Sequence, residues 1–464
     1  MVGVPDDFLH KLRKFGQEHT LAWWDDLRDC EKQELLAELQ SLDLEGLQEL
    51  FSDRESTFAV PSFDRIAPIP VVRLDADNRE ARQRGEEALR QGHVAVLLVA
   101  GGQGSRLGFA HPKGMYPIGP VSTNSLFQIH SEKVLALSRR HARTIPLLVM
   151  TSPATHLETE SFFRQHQFFG LPAGDVFFFC QGTMPALDLQ TGKLLLETKG
   201  RLFTSPNGHG GTLTALAATG LLERLRARGI RHVFYFQVDN PLVKIADPVF
   251  LGHHLQANAE VSSKVVAKES PHDRLGNMVL VDGRCSIIEY SDLPDQLAHQ
   301  RDGDGRLRIW VGNPAIHIFS VDFLARVTRC QASVPYHVAR KKVPHVDDQG
   351  NPVNPERENA LKFEKFIFDV FPLAERWTAV ETSRPDEFVP LKNASGADSP
   401  QTVHQALCRL AASWLENAGV RVPRKSTGEV KFPLEISPLF ALDAEELADK
   451  VNPSLVIEGP LFLR

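Results

Sequence analysis

Residues 94–108 read V-A-V-L-L-V-A-G-G-Q-G-S-R-L-G. The run Val94 to Ala100 is continuous, apolar and β-prone, the texture of a strand buried on both faces. Four glycines, Gly101, Gly102, Gly104 and Gly108, follow within eight residues. Glycine lets a backbone approach a ligand closely and take positive φ, and successive exposed N–H groups make an anion cradle. A buried strand running into such a loop suits an open α/β sheet, whose ligands bind beyond the carboxyl ends of the strands.

The flanking sequence agrees. Leu126, Ile129, Val134 and Leu137 fall at helical spacing, Pro146 to Met150 is the next apolar run, and a helix opens at Thr155. Val176 to Phe179 and Val233 to Val238 repeat the strand texture, with Thr212 to Leu225 a helix between them. This alternation predicts an α/β fold: a central mixed, mostly parallel sheet with helices on both faces. Residues 262–320 are richer in strand than in helix and extend the sheet or add a small β-layer, while 360–371 and 401–417 read as helices. Residues 5 to about 60 look all-helical, a cap on the next domain, and Pro61 to Pro70, with three prolines, reads as a linker. The tail from about residue 420 reads as a small separate unit.

Composition excludes several classes. The 464 residues carry 52 basic and 58 acidic side chains, a net charge of −6, with no long like-charge block. Neither a nucleic-acid tail nor a polybasic membrane patch is implied, so an anionic ligand must be held by a local site. The five cysteines, at 30, 180, 285, 330 and 408, include no C-x-x-C pair and suit reduced thiols. The start M-V-G-V-P-D-D-F lacks the apolar stretch of a signal peptide, and the longest apolar run is too short for a membrane span. The expected compartment is the cytoplasm.

Two familiar phosphate loops fail against the glycine segment. No G-x-x-x-x-G-K-[ST] string exists, and a G-x-G-x-x-G count from Gly102 ends on Leu107. Arg106 and, seven residues on, Lys113 remain beside the loop. Two cations next to a backbone cradle suit a triphosphate whose terminal phosphates will leave. Asp239, at the end of the strand F-Y-F-Q-V, offers a hard oxygen donor for Mg²⁺ at the ligand edge of the sheet, or alternatively an N-cap. Asp247 before Pro248 reads as a helix cap.

The segment A-G-G-Q-G-S-R-L-G with P-K-G-M-Y resembles the nucleotide loop of eukaryotic-type UDP-sugar pyrophosphorylases, most of all the UDP-N-acetylhexosamine pyrophosphorylases. The likeness continues through F-C-Q (to Gln181), G-H-G-G (208–211), V-D-N (238–240), A-D-P (246–248), I-E-Y-S (288–291), G-N (312–313), H-V-A-R-K-K-V-P (337–344), K-F-E-K-F-I-F-D-V-F (362–371) and P-L-K-N-A (390–394). It implies a Rossmann-like nucleotidyltransferase fold. The expected domains are 1–70, an N-terminal helical region and linker; 71–395, the catalytic domain; and 396–464, a C-terminal helix and small domain.

The resemblance also implies the reaction, Mg²⁺- or Mn²⁺-assisted in-line attack of a sugar 1-phosphate on the α-phosphate of UTP. It assigns Val99, Ala100, Gly101 and Gly102 to the nucleotide, and Gln181 and Gly208 to uracil. Arg106 and Lys113 hold the leaving pyrophosphate, with Lys392 and Lys362 as phosphate contacts and Asp239 at the nucleotide or metal. On the sugar side stand His209, Gly276, Glu289, Tyr290, Asn313, Phe366 and Phe368. Residue type alone reads Gln181 as a strand-end polar group and one of Phe366 and Phe368 as helix core, since residues two apart face different sides of a helix.

His209 is a departure, because acetylhexosamine enzymes show G-N-G-G where this chain has G-H-G-G. Pro314, Ala315 and Ile316 beside Asn313 are also less polar than the usual segment. N-acetylglucosamine 1-phosphate is the favoured sugar, with a UDP-glucose or broad UDP-sugar pyrophosphorylase as the alternative. A non-catalytic UDP-sugar sensor is opposed by the presence of Arg106, Lys113, Asp239 and Lys392, and a nicotinamide oxidoreductase by the failed glycine count.

Overall fold

The computed structural model describes residues 3–54, 61–329 and 334–464. The described parts of Pro61–Cys180, Ala215–Gln331 and Val370–Arg464 form one compact unit, and those of Met1–Val60, Gln181–Thr214 and Ala332–Asp369 another.

The first unit is built on an eleven-stranded sheet. Its order is Ile66–Pro68, Gly276–Val281, Val311–Asn313, Val261–Ala267, His317–Ser320, His232–Gln237, Val94–Val99, Leu147–Thr151 and Val176–Cys180. Arg284–Ile288 pairs with Gly276–Val281, and Trp377–Glu381 with Val261–Ala267. Alternate residues Val94, Val96, Leu98, Phe234 and Phe236 share one core with Leu89, Phe127 and Phe250 of the helices Arg79–Arg90, Leu126–Arg140 and Pro248–Gln256. Side chains of a strand alternate between faces, so Tyr235 and Phe319 meet on the other face, where Phe319 stacks on Phe323 of the helix Val321–Arg329. Helices therefore cover both faces.

The sheet is mixed, but the mostly parallel expectation holds only for its loop-bearing part. Four pairings are parallel and six antiparallel, because residues 262–320 extend the sheet by hairpin-like returns. Part of the proline-rich linker is the edge strand Ile66–Pro68, a position where a missing N–H costs no ladder bond. The expected helix 212–225 is two helices, Gly211–Ala218 and Leu221–Ala227, broken at Gly220 (φ +63°). Helix Pro400–Asn417 forms where its pattern predicts, and its lower half packs with Val420, Leu434 and Leu447. Glu435 ties this region to the loop before helix Leu126–Arg140, accepting from Val121 N (2.8 Å), Ser122 N and Ser122 Oγ (both 2.6 Å).

In the second unit, helices Asp6–Lys14, Asp29–Gln40 and Leu44–Ser52 share a core with Leu187, Leu196, Leu202, Leu361 and Phe363. Residues 360–371 are not the expected helix. Ala360–Glu364 is a strand between His337–Lys341 and Leu187–Asp188, followed by a 3-10 turn, Ile367–Leu373. Leu361 and Phe363 are two residues apart as in a strand, while Phe363, Phe366, Ile367 and Val370 fall at helical spacing, and the long-range pairing decides between the two readings. No helix among the described residues is long and apolar enough to cross a membrane. Cys30, Cys180, Cys285 and Cys408 are unpaired, and Cys330 lies outside the described residues.

Helices Arg79–Arg90 and Pro248–Gln256 cross backbone to backbone. A Cβ added at Gly85 would lie 1.9 Å from Pro248 O, and one at Gly252 1.8 Å from Ala81 O. Gly85→Ala and Gly252→Ala should each lower stability by about 1–3 kcal/mol or more by overpacking. Urea denaturation checks this, and unchanged midpoints would refute the close crossing.

Candidate active site

The glycine loop begins where three parallel strands end. Ala100 N donates to Met150 O (2.7 Å), and Ser152 Oγ donates to Gly101 O (2.8 Å), so the neighbouring loop holds the first glycine. Gly102 O accepts from Lys113 N (3.0 Å), and Gly104 N donates to His111 O (3.0 Å), folding the loop onto the P-K-G-M-Y segment. The N–H groups of Gly101, Gly102 and Gln103 donate to no protein group among the described residues. A Cβ at Gly102 would meet nothing within 4 Å. Packing therefore does not require that glycine, whereas a ligand lying against the backbone would.

Lys113 turns its ammonium toward Asp239, with Nζ 3.9 Å from Oδ2. Asp239 is 9% exposed and caps no helix. It stands just past the strand His232–Gln237, and its carbonyl accepts from Leu391 N (2.7 Å), which brings Lys392 into the same region. Arg106 is exposed and Lys392 half-buried, and neither side chain has an ion-pair partner among the described residues. Asp247 is the helix cap that its sequence predicts: it accepts from Val249 N (3.0 Å) with Pro248 at the first helical position.

A second group gathers in the same unit. Gly276 pairs with Asn313 across the strands, and a Cβ at Gly276 would lie 2.8 Å from Ile287, 3.5 Å from Glu289 Oε1 and 4.0 Å from Asn313. Asn313 Oδ1 accepts from Ala315 N (2.9 Å), holding Ala315 at φ +58°. This leaves the Asn313 amide N–H groups without a partner among the described residues. Tyr290, next to Glu289, is exposed.

In the other unit, the G-H-G-G turn lies on the backbone of Lys365. Gly210 N donates to Lys365 O (2.7 Å), and a Cβ at Gly208 (φ +82°) would fall 2.4 Å from that oxygen. His209 Nδ1 accepts from Ile367 N (3.1 Å), so the ring proton sits on Nε2. The ring stacks on Phe366 (centroids 5.2 Å, 19°) and meets Phe368 at 5.6 Å. Both phenylalanines therefore reach His209, because this stretch is a loop and 3-10 turn rather than a helix. Burial, with His337 nearby, lowers the His209 pKa to about 4, so the ring is neutral. Lys362 lies over the Phe203 ring (4.8 Å), and burial lowers its pKa. Gln181 is 6% exposed, and its Oε1 has no partner among the described residues.

Sequence reading missed Asn207, whose buried Oδ1 is likewise unpartnered and whose Nδ2 would lie 2.9 Å from a Cβ at Gly182. Its signal was the S-P-N lead into G-H-G-G. Among the described residues the one cluster of three possible metal ligands is His272, Asp295 and His299, all exposed and without Asp239. Asp239 presents a single carboxylate. That fits Mg²⁺, which commonly takes one or two carboxylates and completes its shell with substrate phosphates and water.

A family profile described as UTP--glucose-1-phosphate uridylyltransferase matches residues 52–427. The human UDP-N-acetylhexosamine pyrophosphorylase-like protein 1 is 39% identical over 95% of this chain and 94% of its own. The UDP-N-acetylglucosamine pyrophosphorylase of Saccharomyces cerevisiae is 37% identical over 88% and 90%. The crystal structure of the Trypanosoma brucei uridine diphosphate N-acetylglucosamine pyrophosphorylase with an inhibitor superposes with a TM-score of 0.83, at 27% identity over 100% of this chain and 99% of that one. With this loop, these cations and relatives of nearly its full length, the chain belongs to the UTP–glucose-1-phosphate uridylyltransferase family and is a uridylyltransferase acting on UTP and a sugar 1-phosphate.

Proposed function

We propose that the sugar is N-acetylglucosamine 1-phosphate and that the reaction uses Mg²⁺ held with Asp239. The observation that carries the reading of the phosphate site is the meeting of Lys113 and Asp239 beside a glycine loop with undonated N–H groups. Bound metal would supply charge neutralisation on the phosphates. This chain's own residues do the rest. Arg106, Lys113 and Lys392 bind the departing pyrophosphate and neutralise its growing charge, and Val99 to Gly102 align the nucleotide so that the sugar phosphate oxygen attacks in line. Gln181 and Gly208 read uracil, with the unpartnered Oε1 of Gln181 available to an imide N–H. We assign Lys362 to a phosphate contact.

For the sugar, Glu289 accepts from hydroxyls, and the Asn313 amide donates to the acetamido carbonyl at a wall kept open by Gly276. Tyr290, Phe366 and Phe368 are assigned to the sugar by the family resemblance, as is His209, whose Nε2–H is a fixed donor. The G-H-G-G histidine also favours a second reading, glucose 1-phosphate, because its donor suits a hydroxyl as well as an amide. The unpaired thiols suit the cytoplasmic reading.

Pyrophosphate release from UTP and Mg²⁺ should be fastest with N-acetylglucosamine 1-phosphate in a panel of sugar 1-phosphates. Faster release with glucose 1-phosphate selects the second reading, and none with any sugar points to a UDP-sugar sensor. Arg106→Ala should lower kcat by about 100-fold without loss of the folded state; turnover near wild type removes it from the phosphate site. His209 stays neutral at all pH values well above its lowered pKa of about 4. Between about pH 5.5 and 8.5, the kcat/KM profiles of the wild type and His209→Asn should therefore have the same shape. An acidic limb near the ordinary histidine value, present only in the wild type, would contradict the buried neutral ring.

A further inference from the structure

Residues 238–245, V-D-N-P-L-V-K-I, carry Asp239 away from the sheet. Pro241 to Ile245 line a cavity of about 470 Å³ with Lys133, Leu410 and Trp414, while Val238, Val243 and Ile245 are buried in the core, and hydrogen bonds add to that packing in fixing the backbone. Lys133 Nζ donates to Pro241 O (2.6 Å) and Val243 O (2.8 Å). His130 Nε2 meets Val238 O at 3.0 Å.

Within this stretch the most heavily bonded side chain is Asn240, next to Asp239 and 4% exposed. Its Nδ2 donates to Glu387 O (2.8 Å), and its Oδ1 accepts from Leu242 N and Val389 N (both 3.3 Å). One amide thus spans the Asp239 stretch and the segment that leads to Lys392. Behind it, the Glu387 carboxylate, 1% exposed, accepts from Lys264 Nζ, Lys244 N and Thr382 Oγ1. Lys264, 2% exposed, also donates to Asp247 (2.7 Å). Burial works against the Lys264 ammonium, yet Asp247 and Glu387 hold its pKa above the ordinary value. Charges taken this far from water stabilise a fold less than apolar packing would. A buried, hydrogen-bonded triad under a single asparagine instead favours one geometry.

We propose that Asn240 is a positioning residue for uridylyl transfer: braced by Glu387 and Lys264, it sets the spacing between Asp239 and Lys392. The proposal rests on the assignment of those two residues to the phosphate site. Any shift in that spacing opens the charge cluster that meets the leaving pyrophosphate, and misplacement by about 1 Å costs on the order of 100-fold in rate.

The test is a double-mutant cycle on the full chain with UTP, Mg²⁺ and N-acetylglucosamine 1-phosphate, or the fastest sugar of the panel. Asn240→Ala should lower kcat by about 30- to 100-fold and raise the Mg²⁺ concentration for half-activation, with KM for the sugar phosphate unchanged. Added to Asp239→Asn, it should cost little more, because coupled residues are non-additive. Should Asn240→Ala fail to fold, Asn240→Ser keeps a short polar side chain that cannot span both segments, and should give the same pattern more weakly. Additive losses with an unchanged Mg²⁺ requirement overturn the proposal while leaving the phosphate site intact. Near-normal turnover of both Asp239→Asn and Lys392→Ala removes the phosphate-site assignment itself, and the proposal with it.

Discussion

One register governs the chemistry. Val99 pairs in parallel with Gln237 and with Met150, so three strands stop at one level. Each then releases a loop: Ala100 into the glycines, Val238 into Asp239, and Thr151 into Ser152, which holds Gly101 O. The Lys113–Asp239 approach depends on that shared ending. A slip of one residue in either pairing would turn buried side chains to the opposite face and separate the cradle from its carboxylate. Side chains packed on both faces of these strands make such a slip costly.

Much of this was legible in the chain. Val94 to Ala100 could only be a doubly buried strand, four glycines after it could only be a backbone device, and Asp247–Pro248 spelled a helix start. Local chemistry sufficed in each case. The stretch 360–371 was misread because apolar residues at helical spacing, Phe363, Phe366, Ile367 and Val370, overlap the strand, and only the distant strand His337–Lys341 breaks the tie. Asn240 and Glu387 escaped notice for a related reason. They lie 147 positions apart, and nothing in either local sequence announces the other. Buried polar pairs of long separation are the part of a site that patterns along the chain carry least.

The His209 position shows how a histidine changes the hydrogen-bonding geometry that a turn can offer. An asparagine amide offers a donor and an acceptor that can exchange places by rotation. The imidazole here cannot exchange them, because Ile367 N–H occupies Nδ1 and Phe366 lies against the ring face. This turn therefore presents a donor of fixed direction on a stiff platform. The glycines around it allow the turn to lie directly on the Lys365 backbone, so the donor's position is a property of the main chain.

The unit that contains His209 is assembled from three separated stretches of sequence. Leu35, Leu39, Leu44 and Leu47 of its first helices find core partners in Leu361 and Phe363. During synthesis those partners emerge some 300 residues later, tens of seconds at about 5–20 residues per second. Until then the early leucines have no complete core to enter. The first helices therefore complete their core only after most of the chain has been made.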